Sequence, residues 1–168
     1  MRFKLITLFA AAFLLAACET SEEAGGMADT TMTSATTSTT TAPTAIAGPT
    51  PGTQEHLVVN VGDRVFYDFD SSDLRPEARA TVEALAVWMN TYPATTIAVE
   101  GHADERGTRE YNLALGDRRA NSVNDYLVAL GIGSNRLSTI SYGKERPAVL
   151  GSNEEAWAQN RRGVFVVN

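Results

Sequence analysis

The sequence predicts an α/β domain, an α+β sandwich in which one sheet carries helices on one face. Three observations predict it. Strand-like and helix-like segments alternate through residues 55–168. Those residues hold every aromatic side chain except Phe3, Phe9 and Phe13, so the apolar core belongs to them. A segment of that length is long enough to close one compact core.

Residues 1–17 read as a leader. Arg2 and Lys4 precede an apolar run from Leu5 to Ala17 that only Thr7 interrupts. The run is shorter than the roughly 20 apolar residues a membrane span needs. It ends Leu15-Ala16-Ala17-Cys18, which resembles a bacterial lipobox, with cleavage just before the cysteine. Cys18 is the only cysteine of the chain and stands where lipidation needs a thiol. S-diacylglycerol and an N-acyl chain on Cys18 would make a stable anchor, which one chain alone does not. Glu19 rather than Asp after the cysteine favours the outer membrane.

Residues 19–54 contain twelve Thr and no Lys, Arg or aromatic residue. Such a stretch cannot bury enough apolar surface to offset its ordering entropy, so a disordered tether is predicted. Its root-mean-square span as a coil is about 30–35 Å.

Leu57 to Val61 is an apolar run before the Gly62-Asp63 turn. Val65 to Phe69 alternates as a strand. Pro76 suits a first helical turn, and Ala78, Val82, Leu85, Ala86 and Met89 continue at helical spacing to Tyr92-Pro93. Ile97 to Glu100 reads as a strand closed by Gly101. Glu110 to Leu130 reads as the longest helix, with Leu115, Ala120, Val123, Leu127 and Leu130 inward and Gly131 and Gly133 ending it. Leu137 to Tyr142 is a strand, Glu154 to Asn160 a short helix, and Val164 to Val167 a last strand.

The formal charge of −6 argues against a nucleic-acid partner. One cysteine excludes an intrachain disulfide and multi-cysteine metal sites, and two histidines make a histidine-rich metal site a poor fit. No nucleophile elbow, phosphate loop or zinc motif is present. No nucleophile or second metal ligand stands at a workable spacing from His102. The sequence therefore predicts neither an enzyme nor a bound cofactor or metal.

The densest polar cluster is Gly101-His102-Ala103-Asp104-Glu105-Arg106-Gly107-Thr108, between a strand and a helix, where α/β folds place binding loops. Asn112, Leu115 and Arg119 follow at spacings of three and four, on one helical face. An acid and an arginine so arranged suit a zwitterion: the carboxylate accepts from an ammonium, and the guanidinium forks onto a carboxylate. Each residue also has a plain structural reading. Asp104 could be a turn residue, Arg119 a helix salt bridge, Asp70 the cap of Ser71-Ser72, and Phe69 core.

Asn112-x-x-Leu115-Gly116-x-x-Arg119-Ala120-x-x-Val123 resembles the signature of OmpA-like peptidoglycan-binding domains, with Gly116 where most of that family has Ser. Tyr67 to Asp70, Glu100 to Thr108, Ser141 to Ala148 and Asn160 to Arg162 resemble its peptidoglycan-associated lipoprotein branch, joined as there to a lipobox and tether. The resemblance implies a β-α-β-α-β-type domain with a mixed sheet. It implies that the domain binds meso-diaminopimelate of the wall peptide without a covalent bond, and so links outer membrane to wall. It implies Asp104 and Arg119 as the groups holding diaminopimelate. Phe69, Asp70, Asn112 and Leu115 then line the pocket, and one of Arg161 and Arg162 closes the site or touches the stem. It further implies membership of the Tol–Pal system, with TolB, and TolA as a further candidate, as partners in envelope integrity and division. The alternative is an OmpA-like outer-membrane lipoprotein that acts without TolB.

Overall fold

The structure, a computed structural model, describes residues 48–168. The predicted leader, Cys18 and the predicted tether up to residue 47 lie outside the described residues. The elements in chain order are α1 (Gln54–Asn60), β1 (Arg64–Phe66), α2 (Pro76–Thr91), β2 (Ile97–His102), α3 (Arg109–Ala129), β3 (Leu137–Gly143), α4 (Glu154–Asn160) and β4 (Arg162–Val167), with one 3-10 turn at Ser134–Arg136. The sheet runs β1-β4-β2-β3. β4 is antiparallel to β1 and to β2, and β2 is parallel to β3, so the sheet is mixed as expected.

Each helix starts where its side chains permit. Thr53, Thr108 and Asn153 accept the backbone N–H of His56, Tyr111 and Ala156, capping α1, α3 and α4. Pro76 opens α2 without needing a cap bond. The last carbonyls of α2 and the turn after it are gathered by one guanidinium: Arg136 donates to Met89, Tyr92 and Thr95 oxygens at 2.8–3.0 Å. α2 buries Val82, Leu85 and Met89, and α3 buries Ala120, Val123 and Leu127, against Ile97 and Val99 of β2 and Phe165 of β4. Leu130, expected inward, is 37% exposed because the helix has ended at Ala129 and Gly131 turns the chain with φ +93°.

α1 arises from the apolar run that carries Leu57, which is fully buried. Its first residue docks onto the sheet. Gln54 Nε2 donates to the Phe165 carbonyl at 3.0 Å, and the Val167 N–H donates to Gln54 Oε1 at 2.8 Å. Trp88 Nε1 donates to His56 Nδ1 at 2.9 Å, which ties α1 to α2.

All four strands differ from their predicted limits, β3 only by running on to Gly143. β1 ends at Phe66 rather than Phe69, because the chain turns at Asp68–Asp70 and the Asp68 carbonyl points to Arg119 instead of a neighbouring strand. β4 starts two residues early, at Arg162, which pairs with Phe66. β2 runs through Gly101 to His102. Gly101 is required for contact rather than for turning: a Cβ there would fall on the carbonyl oxygen of Gly116 in α3. A Cβ on Gly116 would sit 2.8 Å from the Gly101 oxygen. Two facing glycines let α3 rest directly on the backbone of β2, which accounts for glycine where Ser is usual in the signature. This close seating brings Arg119 to the level of the loop after β2.

Candidate functional site

That loop, the turn after β1 and the first half of α3 enclose a pocket of about 170 Å³. Phe69, Asp70, Asp104, Asn112, Leu115 and Arg119 all line it, joined by Arg106, Gly107 and Tyr111. Six of the eight residues expected at the site are therefore brought together, from segments up to fifty residues apart in the chain.

Arg119 forms the floor and is fully buried. Its Nε donates to the Ser71 carbonyl at 2.8 Å, Nη1 to the His102 carbonyl at 2.8 Å and Nη2 to the Asp68 carbonyl at 3.0 Å. All three acceptors are neutral peptide oxygens. A guanidinium has five N–H bonds, so one on each terminal nitrogen makes no bond among the described residues. Burial pushes the pKa of Arg119 down to about 10, and the nearby Tyr67, Asp104 and Asp70 oppose that shift. The group is still charged at any physiological pH. Beneath it the Tyr67 hydroxyl donates to the Arg119 carbonyl at 2.8 Å, and burial pushes that phenol up to about 12.

Asp104 is 5% exposed. Arg106 meets both its oxygens, Nε to Oδ1 at 3.2 Å and Nη2 to Oδ2 at 2.6 Å, and the Arg106 N–H donates to Oδ1 at 3.1 Å. Burial alone would raise the carboxyl's pKa. The Arg106 bonds, with Arg161 behind them, outweigh burial and hold it below the usual carboxylate range. Asp70 is exposed and sits at φ +55°, a left-handed conformation that is uncommon outside glycine and collects at functional sites. The Tyr111 hydroxyl, from α3, donates to its carboxylate. It does not cap the following serines. Phe69 is 61% exposed and stands at the rim, outside the core.

The two arginines of Asn160-Arg161-Arg162 go elsewhere. Arg161 lies behind Asp104, with Nη1 3.4 Å from Oδ2, Nη2 2.7 Å from Glu154 Oε1 and Nε 3.2 Å from the Tyr67 carbonyl. It does not line the pocket. Arg162 donates to the Arg146 and Asn160 carbonyls and does not reach the pocket either. His102 gives only its carbonyl to the site. Its ring is stacked on Tyr142 at 5.5 Å on the opposite face of the sheet, with both nitrogens buried and without a hydrogen bond among the described residues, Nε2 lying 3.7 Å from Glu100 Oε2. Among the described residues there is no group of three side chains able to hold a metal ion.

Arg106 and Tyr111 were missed as site residues. Arg106 stood inside the quoted loop motif, two residues after Asp104, the spacing at which a backbone N–H folds back onto an Asp side chain. Tyr111 carries no such signal, since its partner Asp70 is distant in sequence.

The model of the OmpA family matches residues 66–161 of the chain. A peptidoglycan-associated lipoprotein of Rhizobium meliloti is 55% identical over 118 residues, 70% of this chain and 67% of that protein. One of Brucella melitensis is 53% identical over 119 residues, 71% of each. Among solved structures, the peptidoglycan-associated lipoprotein from Burkholderia pseudomallei is similar with a TM-score of 0.62 and 42% identity, covering 63% of this chain and 90% of that one.

Proposed function

This chain belongs to the OmpA family and, within it, to the peptidoglycan-associated lipoproteins; on that premise we propose that its pocket binds meso-diaminopimelate in the stem peptide of the cell wall. The observation that carries the reading is Arg119: a buried cation held from behind by neutral oxygens, with an N–H on each terminal nitrogen left to give. A carboxylate is the ligand group that completes it, through two parallel charge-assisted bonds. Diaminopimelate differs from lysine by one carboxylate. A lysine-type stem would leave the guanidinium unpaired, and a site built around a buried polar group rejects a ligand lacking its partner strongly. The ammonium of the same zwitterionic end is taken by the acids, Asp70 and Asp104, while Leu115, Asn112 and Phe69 form the walls.

The proposed role is binding and tethering, without catalysis. Lipidated Cys18 anchors the domain to the outer membrane on the periplasmic side through the Thr-rich tether, which ends short of the Thr53 cap of α1. The domain holds the wall and works in the Tol–Pal system with TolB and TolA.

Sedimentation with purified walls tests the ligand. The full chain is expected to co-sediment with diaminopimelate-type wall and not with lysine-type wall. Asp70→Asn keeps a side chain that tolerates the left-handed backbone and is expected to weaken binding about tenfold, the cost of one charged partner. Equal capture by both wall types, or an Asp70→Asn variant that binds like the parent, overturns the site.

A further inference from the structure

We propose that Arg106 is an internal stand-in for the ligand's cation: it pairs with Asp104 and is displaced onto Glu154 when the ligand's ammonium arrives. This rests on the function proposed above and adds to it the step by which Asp104 becomes available.

Asp104 is already saturated. Two guanidiniums share one buried carboxylate, Arg106 at 2.6 Å and Arg161 at 3.4 Å. A third cation on the same oxygens would add like-charge repulsion in a poorly solvated place. One arginine therefore has to yield, and geometry selects which. Arg161 has an 8% exposed side chain and is fixed by two other acceptors, the Tyr67 carbonyl and Glu154. The Arg106 side chain is 31% exposed and belongs to the pocket wall.

The guanidinium of Arg106 also has a place to go. It lies between two aromatic rings, with Cζ 4.1 Å from the centroid of Phe69 and 4.1 Å from that of Trp157. Held against both rings, it can shift a short way and keep its cation–π contacts. The next acceptor is Glu154 Oε2, 3.7 Å from Nη1. Glu154 is 65% exposed, so solvent eases the transfer. Asp104, Arg106, Glu154 and Arg161 form a ring of alternating charge that is neutral overall. The exchange keeps Asp104 paired, and because the ligand's zwitterionic end is itself neutral, the site as a whole gains no net charge. Arg106 thereby keeps a buried acid ionised and ordered without a ligand, at the cost of competing with it.

Calorimetric titration of the full chain with two muropeptides, one bearing meso-diaminopimelate and one bearing lysine, tests this. Arg106→Gln removes the competing charge and is expected to bind the diaminopimelate muropeptide about fivefold more tightly than the parent. Arg106→Lys keeps a charge and is expected to stay near the parent. In the parent protein, the Nε–H resonance of Arg106 is expected to shift on titration while that of Arg161 holds, a readout independent of any variant. Unchanged or weaker binding by Arg106→Gln, or a shift at Arg161 alone, overturns the displacement. A parent that does not prefer the diaminopimelate muropeptide refutes the site itself, a separate outcome.

Discussion

Replacing Arg119 by Met leaves a side chain of similar reach with no donor, and its effect on stability follows from the carbonyl cage. Three bonds from a charged donor hold Asp68, Ser71 and His102, at 3.0, 2.8 and 2.8 Å. Hydrogen bonds to charged groups contribute about 1.5–3 kcal/mol each, so the three together contribute roughly 4.5–9 kcal/mol. Against this stands desolvation of the guanidinium. A pKa brought from 12.5 down to about 10 corresponds to about 3 kcal/mol against the charged form. The difference, about 1.5–6 kcal/mol, is the expected loss of stability. Urea unfolding followed by the fluorescence of Trp88 and Trp157 measures it, as a lower midpoint at unchanged slope. The turn Asp68–Ser71 carries Phe69 and Asp70, so the same variant is expected to lose wall binding twice over, through the missing fork and through a displaced rim. Arg119→Met as stable as the parent within about 0.5 kcal/mol would refute the cage as a structural anchor and leave the guanidinium with a ligand role alone.

Gly101→Ala places a methyl group on the Gly116 carbonyl, so α3 must lift off β2; a loss of about 3 kcal/mol or more is expected in thermal unfolding. His102 is pushed down to about 4, chiefly by burial and then by Arg162. Its folded pKa lies below its unfolded value, so its contribution is intact above about pH 6.5 and is lost as pH falls toward 4, by about 3 kcal/mol at most. His102→Phe keeps the stack on Tyr142 and is expected to flatten that part of the stability–pH curve, measured by urea midpoints from pH 7 to pH 4. Gln54→Ala removes two bonds to β4 and is expected to cost about 1–2 kcal/mol. Gln54→Glu is expected to cost at least as much, since a carboxylate oxygen would face the Phe165 carbonyl.

The helices were legible because their signals are local. Pro76 marks the start of α2, and the spacing from Ala78 to Met89 gives its buried face. The spacing of Asn112, Leu115 and Arg119 likewise gives the site face of α3, and all three are buried there. What was not legible depends on contacts distant in sequence. Gly101 reads as a strand end when its reason is Gly116, and the strand predicted to Phe69 stops early because Arg119 claims the Asp68 carbonyl. The run at Leu57 is too short to show a period, so α1 went unassigned. In the pocket, chain order and the family motif indicated which residues meet. Only the two-residue spacing pointed to Arg106 on Asp104, and nothing local marked Asp70 as steadied by Tyr111.

The clamp made by Gln54 has a consequence for neighbouring copies of the chain. β1 is three residues long and pairs only with Arg162–Val164 of β4. Beyond it the Phe165 carbonyl and the Val167 N–H lie along a strand edge, the kind of surface that recruits a foreign strand and starts aggregation. The Gln54 carboxamide, one donor and one acceptor, fills both positions as the next residue of β1 would. A single side chain thereby closes this end of β4. Domains brought together at high local concentration would meet edge to edge, and there this closure disfavours pairing through this end of β4.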